Sequence, residues 1–190
     1  MAGRYTAGVS TRQSLPLLWL LSDPRNDGAL ETALAALPRG CGFVFRHYHL
    51  DGAARAARFG NLAGAAKASG HLTILADDAA LAREWGADGV YGAATRIASA
   101  RDMVKLATAH NEDQLALAGR VGADGVFLSP VFPTRSHPGA PALGIRGFHA
   151  LARQSPVPVI ALGGMTKARA AALAWPRWGA VDGLVSPQPA

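Results

Sequence analysis

The chain has 190 residues, 49% of them hydrophobic and 17% charged, which suits one globular domain and excludes a disordered chain. Its single cysteine excludes an internal disulfide framework and is compatible with a reducing compartment. The net charge of +6 favours an anionic partner, but no basic run carries interleaved aromatic residues, so we expect a small phosphorylated ligand and no nucleic acid.

The amino-terminal segment, residues 1–14, has no apolar period and predicts a disordered terminus, which leaves residues 15–190 as a single domain. The apolar run LPLLWLL at residues 15–21 is too short to cross a membrane and contains a proline. We therefore expect neither a membrane anchor nor a signal peptide, and we predict a cytoplasmic protein.

Eight short apolar segments predict β-strands. They are residues 17–23, 42–48, 72–77, 89–92, 103–109, 125–130, 158–164 and 182–187. Alanine-rich segments between them predict helices at residues 29–37, 53–68, 79–85, 112–121, 146–154 and 167–174. Strands that alternate with helices at this spacing predict parallel β/α units.

A short motif recurs where a predicted helix gives way to a strand. GADGV occurs at residues 86–90 and 122–126, and a looser GAVDGLV occurs at residues 179–185. Glycine ends a helix, Asp-Gly turns the chain, and the apolar residues begin the next strand. This joint fits a closed barrel or an open doubly wound sheet, and the count of eight strands favours the barrel.

The fold class that we predict is therefore α/β, as a short (β/α)8 TIM barrel. Such barrels usually need about 250 residues, so parts of the helical layer must be missing. The short connection between strands four and five predicts a reduced fourth helix, and the few residues after strand eight predict no eighth helix. An uncovered barrel wall would expose apolar surface, which favours a homo-oligomer.

Polar residues follow the sixth predicted strand in the stretch GVFLSPVFPTRSHPG, residues 125–139. In a TIM barrel, functional residues lie on the loops at the carboxyl ends of the strands. Thr134, Ser136 and His137 are therefore candidate ligand-binding residues at the barrel mouth. A solvent-exposed, proline-rich turn is the alternative interpretation of the same stretch.

The loops after strands seven and eight are candidates for a phosphate site. Gly163 and Gly164 leave backbone amides unobstructed, and Thr166 can cap the following helix. Free amides at a helix start suit a phosphate group. Ser186, after the eighth predicted strand, could add a hydroxyl from the neighbouring loop, and barrels commonly bind phosphate between these two loops.

These motifs together resemble the thiamine phosphate synthase/TenI superfamily over nearly the whole chain. The resemblance rests on the two GADGV motifs, TAH after strand five, PVFPT after strand six and PVIALGGM at strand seven. It implies a (β/α)8 barrel that binds a thiazole phosphate through Gly163, Gly164 and Ser186. Synthases of the superfamily join the thiazole to a pyrimidine diphosphate with magnesium and release pyrophosphate. TenI-type members shift a proton on a carboxythiazole phosphate instead.

The resemblance implies an incomplete set of synthase residues on strand two and on the loop after strand six. The strand-two pattern Gln-x-Arg-x-Lys keeps only Arg46, which implies a role for Arg46 in ligand binding. The pattern Thr-x-Thr-Lys keeps the two hydroxyls of Thr134 and Ser136, but His137 stands in place of the lysine. Arg135 is the neighbouring residue that could supply the missing charge.

The magnesium site that the resemblance implies is also incomplete. Asp77 is the one carboxylate retained as a candidate ligand, while Arg96 coincides with the second acid, and a cation there would repel magnesium. His47 and His49 are two residues apart, a spacing that can hold a metal. No third ligand is evident, so we expect them to be surface histidines.

His110 matches the histidine that TenI-type tautomerases use, and it is our candidate catalytic residue. An imidazole can accept a proton from one atom and return it to another without a metal. A histidine that only bonds to a loop backbone is the alternative. The residue losses favour a thiazole tautomerase that needs no cofactor over a magnesium-dependent synthase. A non-catalytic phosphate-binding protein and an unrelated phosphate-ligand barrel remain open.

Overall fold

The computed structural model describes residues 14–136, 139 and 141–185. Eight parallel strands form a closed barrel in sequence order, and β8 pairs with β1 to complete the ring. The predicted α/β TIM barrel is therefore confirmed. The strands are β1 (Leu18–Leu21), β2 (Gly42–Phe45), β3 (Leu72–Leu75), β4 (Gly89–Ala93), β5 (Val104–Ala109), β6 (Gly125–Leu128), β7 (Val159–Ala161) and β8 (Trp178–Ala180).

Helices cover the barrel between successive strands. They are a 3-10 helix (Pro24–Ala29) followed by α1 (Leu30–Ala36), α2 (Gly52–Ala68), α3 (Ala79–Glu84), α4 (Ala94–Ile97), α5 (Glu112–Arg120), α6 (Gly144–Ala152) and α7 (Lys167–Leu173). Helix α4 has four residues, as the short connection between strands four and five predicts. Residues 181–185, the last that the structure describes, form turns and bends.

The predicted eighth strand, residues 182–187, is wrong, because β8 lies earlier, at Trp178–Ala180. Helix α7 ends at Leu173, and Ala174 then turns the chain with a left-handed φ of 51°. The N–H of Trp178 already bonds to the carbonyl of Leu17, so pairing with the first strand begins there. In the third copy of the motif, Gly179 is thus a strand residue and does not end a helix.

The two GADGV copies form equivalent joints. Gly86 and Gly122 follow α3 and α5 with φ values of 69° and 65°, a conformation that glycine adopts without strain. The carboxylate of Asp88 then accepts a hydrogen bond from the N–H of Thr73 on the preceding strand, at 2.8 Å. Asp124 accepts one from the N–H of Lys105 at 2.9 Å. The repeated aspartate therefore ties each new strand to its neighbour.

Alternate strand residues fill the barrel interior and the layer between barrel and helices. Leu20 packs outward among helix residues such as Phe59. Its neighbours Trp19 and Leu21 point inward, into a cluster made mainly of strand residues, where the Trp19 and Phe127 rings meet edge to face at 5.7 Å. The barrel is thus filled by side chains, which leaves its carboxyl-end mouth as the place for a site.

The position of Trp19 depends on Gly42, the residue beside it on β2. A Cβ atom added at Gly42 would lie 2.1 Å from the nearest Trp19 ring atom.

No helix among residues 14–136, 139 and 141–185 has the length and apolar character needed to cross a membrane.

We predict that Gly42→Ala lowers the free energy of unfolding by about 2 kcal/mol, because the fully buried Trp19 ring has nowhere to move. Gly60→Ala is the control, since a Cβ there meets nothing within 4 Å on the exposed face of α2. It should raise stability by about 0.5 kcal/mol. Urea denaturation measures both changes, and equal effects would contradict this packing of the barrel.

Candidate active site

A cavity of about 930 Å³ lies at the carboxyl-end mouth of the barrel. Residues from β4, β5, β8 and α7 and from the loops after β2, β5, β6, β7 and β8 line it. The candidate residues that line it are Arg46, His110, Thr134, Ser136, Gly163 and Gly164. Asp77 is not among the lining residues, and His137 and Ser186 lie outside the described residues.

The loops after β7 and β8 lie against each other on one side of the cavity. Gly183 is the contact point, because a Cβ atom added there would lie 2.1 Å from the carbonyl oxygen of Met165. Gly163 and Gly164 have left-handed φ values of 94° and 62°, and Cβ atoms there would lie within 2.7 Å of the loop after β6. Only glycine lets the three backbones approach so closely.

These glycines also present hydrogen-bond donors. The N–H groups of Gly163, Gly164 and Gly183 donate to no acceptor within the part of the chain that the structure describes. All three residues line the cavity. Free amides on neighbouring loops can together form a concave site for an anion, so we call these three residues the glycine cradle.

Arginine side chains add positive charge to the wall of the cavity. Arg169 is held in place, since its Nη1 donates to the carbonyl of Gly164 at 2.6 Å and its guanidinium stacks on the Phe132 ring at 5.1 Å. Arg46 and Arg135 also line the cavity. The only acidic side chain among the described lining residues is that of Asp182. The wall therefore favours an anionic ligand.

The loop after β6 is tied to the loops after β1 and β8. Arg25 donates to the hydroxyl of Ser136 at 2.8 Å and to the carboxylate of Asp23 at 2.7 Å. Arg135 pairs with Asp182 at 3.1 Å. Ser136 is therefore bonded to another loop, and its hydroxyl is one of several polar groups at the rim of the cavity.

His110 directly follows β5, and its ring is oriented by backbone. The backbone N–H of His110 donates to the side-chain oxygen of Gln114 at 2.7 Å, and the ring Nδ1 lies 2.7 Å from the carbonyl oxygen of Ser129. A carbonyl oxygen only accepts hydrogen bonds, so Nδ1 carries the proton in the neutral ring and Nε2 holds the lone pair. Nε2 is thus available to accept a proton.

Tyr91, on β4, is another titratable side chain that lines the cavity. Burial raises the pKa of Tyr91 to about 12, so its hydroxyl stays protonated near neutral pH. It can donate a hydrogen bond to a ligand but cannot serve as a base. His110 is the only imidazole among the described residues that line the cavity.

Asp77 is engaged by two arginines. Arg55 donates to its Oδ2 and Arg96 to its Oδ1, each at 2.6 Å. Burial on its own would raise the pKa of Asp77, but the hydrogen bond from Arg55 and the charge of Arg96 lower it from the usual value. Both carboxylate oxygens are therefore committed to cations.

The described residues do not fit a magnesium ion at Asp77. A divalent cation there would have to displace two guanidinium groups and would meet their like charge. Arg55 is itself 8% exposed and lies beside the rings of Phe45, Tyr48 and Trp85. Among the described residues, no group of three or more His, Cys, Asp or Glu side chains is placed to hold a metal.

His47 is buried, so its interpretation as a surface histidine is wrong. Its Nδ1 lies 2.7 Å from the hydroxyl of Ser22, and its Nε2 lies 2.8 Å from a carboxylate oxygen of Asp27. The Ser22 hydroxyl also accepts the N–H of Arg46 at 2.7 Å. His47 and Ser22 thus fix the backbone from which the Arg46 side chain reaches the cavity.

Sequence reasoning missed four residues of this site, namely Tyr91, Arg169, Asp182 and Gly183. Arg169 follows the helix cap Thr166 by three residues, a spacing that places it in the first turn of α7 beside the loop after β7. The sequence pattern places Asp182 and Gly183 in the predicted eighth strand. Correct placement of β8 at Trp178 would have put both on the loop at the barrel mouth.

Comparisons with known proteins agree with this architecture. The family model described as thiamine monophosphate synthase matches residues 18–181. A thiamine-phosphate synthase of Methylobacillus flagellatus is 32% identical over 177 residues, which cover 86% of this chain and 84% of that protein. The thiamine-phosphate synthase of Bacillus velezensis is 34% identical over 106 residues, which cover 52% of this chain and 47% of that protein.

A further relative, from Aquifex aeolicus, is 39% identical over 59 residues, so that match spans 31% of this chain and only 32% of the relative. Among solved structures, the thiamine phosphate pyrophosphorylase from Pyrococcus furiosus aligns with a TM-score of 0.73 over 88% of this chain and 85% of that chain. Its sequence identity is 21%, so this likeness shows the barrel fold alone.

The glycine cradle yields a prediction about anion binding. Gly183→Ala places a methyl group against the Met165 carbonyl and separates the two loops, so the affinity for inorganic phosphate should fall by about tenfold or more. Gly64→Ala is the control, because a Cβ there meets nothing within 4 Å. Isothermal titration calorimetry measures both affinities. A wild-type affinity for phosphate in Gly183→Ala would contradict the binding of phosphate at the glycine cradle.

Proposed function

Because the chain belongs to the thiamine monophosphate synthase family, we propose that it binds a thiazole phosphate at the barrel mouth and converts one tautomer of that ligand into another. The observation that carries this proposal is the fixed orientation of His110 in a cavity that also holds an anion cradle. The reaction is a proton shift, which needs one residue to accept and return a proton.

His110 has the properties that this step requires. The hydrogen bond from Nδ1 to the Ser129 carbonyl leaves Nε2 as the proton acceptor. After the first transfer, the imidazolium keeps that hydrogen bond, and Nε2 can return the proton to a second atom of the ligand. One side chain thus serves as base and then as acid.

The remaining cavity residues hold the ligand for this transfer. The N–H groups of the glycine cradle and the guanidinium of Arg169 receive the phosphate, with the hydroxyls of Thr134 and Ser136 on the loop after β6. Arg46 supplies a second positive charge for a carboxylate on the ring. A ligand fixed at two ends keeps its reacting atoms within reach of one imidazole. His137 and Ser186, which lie outside the described residues, stay as proposed contacts.

The synthase reaction is the second candidate, because the relatives from M. flagellatus and B. velezensis are named thiamine-phosphate synthases. In that reaction magnesium would neutralise the diphosphate of the pyrimidine. Asp77, the residue proposed to hold it, is occupied by Arg55 and Arg96, so the described residues favour the proton shift. A protein that only binds the phosphate ligand would retain the cradle and make no use of His110.

Two further predictions concern the protein as a whole. We propose a cytoplasmic protein that acts as a homo-oligomer, with the thin helical cover at the four-residue α4 as the reason for association. The largest exposed apolar side chains among the described residues are Leu17, Tyr48 and Ile145.

We predict that His110→Asn lowers the turnover of the thiazole phosphate tautomer by about 10²- to 10⁴-fold, the usual contribution of a general base. Its affinity for the ligand should stay near the wild-type value, because the cradle is unchanged. His149→Asn is the control, since His149 bonds to the Leu173 carbonyl and does not line the cavity. Unchanged turnover in His110→Asn would contradict a catalytic role for His110.

We also predict that tautomerisation proceeds unchanged in the presence of EDTA, because the residues that engage Asp77 are arginines. The free protein should bind no Mn²⁺ at millimolar concentration, as measured by electron paramagnetic resonance. Incubation of each thiazole tautomer with the pyrimidine diphosphate and magnesium should then give no coupled product. Coupled product that disappears with EDTA would establish the synthase reaction instead.

A further inference from the structure

We propose that Asp182 is an internal competitor of the ligand's phosphate group. In the free protein its carboxylate holds Arg135, and an incoming phosphate must displace it to gain that arginine. Asp182 thereby lowers the affinity for phosphate and eases release of the product. This inference rests on the proposed function, because it assumes that the glycine cradle receives the phosphate.

The placement of Asp182 supports this role. It is the residue before Gly183, and both residues line the cavity that the glycine cradle lines. No other acidic side chain among the described residues lines that cavity. A carboxylate beside an anion site repels the anion unless cations lie close to it.

The cations that neutralise Asp182 belong to two other loops. Arg135 pairs with a carboxylate oxygen of Asp182 at 3.1 Å, and Arg25 lies 3.7 Å from the same oxygen. Arg25 is anchored elsewhere, because it donates to Asp23 at 2.7 Å and to Ser136 at 2.8 Å. Its position therefore does not depend on Asp182.

Arg135 is the cation that can leave the Asp182 carboxylate and bind a phosphate instead. Its side chain is 75% exposed, and among the described residues Arg135 forms a salt bridge with Asp182 alone. Exposed ion pairs of this kind contribute little to stability, so the pair breaks at small cost. A phosphate on the cradle carries more negative charge than a carboxylate and attracts the same guanidinium more strongly.

A role for Asp182 in positioning Arg135 predicts the opposite effect. If the carboxylate held Arg135 in the geometry that binds phosphate, its removal would weaken binding. If the carboxylate competes with phosphate, its removal strengthens binding. The sign of the change in affinity therefore distinguishes the two roles.

The test measures the affinity of wild-type protein, Asp182→Asn and Asp102→Asn for inorganic phosphate and for pyrophosphate by isothermal titration calorimetry. Asp102 is the matched control, because it also pairs with one exposed arginine, Arg83, but does not line the cavity. Asp182→Asn should bind both anions about three- to tenfold more tightly than wild type. Asp102→Asn should match wild type, and the gain in Asp182→Asn should shrink as salt is raised.

A double variant tests the part of Arg135. In an Arg135→Gln background, Asp182→Asn should gain less affinity than in wild type, because no guanidinium is released. Equal or weaker phosphate binding by Asp182→Asn would overturn the inference, as would an equal gain in Asp102→Asn. Tighter phosphate binding with no turnover of either thiazole tautomer would overturn the proposed function and leave the inference standing.

Discussion

The contact between Gly183 and the carbonyl of Met165 is the constraint on which the site depends. It brings the loop after β8 against the loop after β7, while Gly163 brings the latter against the loop after β6. Three segments that are distant in sequence then present amides and side chains to one cavity. Barrel closure makes this possible, because the parallel strands β6, β7 and β8 are neighbours and their carboxyl ends share one rim.

The charged groups divide into two sets around that rim. Asp77 is held by Arg55 and Arg96 and does not line the cavity, so its charge is neutralised within the protein. Inside the cavity, arginines outnumber the single acid among the described residues. This division favours a ligand that carries its own negative charge and needs no metal to balance it. It also leaves the imidazole of His110 as the group suited to move a proton.

Much of the fold could be predicted from the sequence, because seven of the strands are short apolar runs bounded by Gly, Pro or Asp. The eighth strand could not be predicted, because GAVDGLV resembles the GADGV joint in sequence. The hydrogen bond from the N–H of Trp178 to the carbonyl of Leu17 is what locates β8. The burial of His47 escaped prediction for a related reason, because its partners Ser22 and Asp27 come from another loop. The ion pair between Arg55 and Asp77 joins residues 22 positions apart in the sequence. Arg55 lies on helix α2 and Asp77 lies after strand β3, so the spacing of the two residues does not reveal their contact.

The claim that the glycine cradle receives an anion is tested most directly by nuclear magnetic resonance of the amide groups during a titration with inorganic phosphate. The N–H groups of Gly163, Gly164 and Gly183 should shift together and saturate at one concentration, because they would donate to the same anion. Shifts confined to exposed arginines elsewhere, such as Arg83, with these three glycines unchanged, would contradict the cradle and the function built on it.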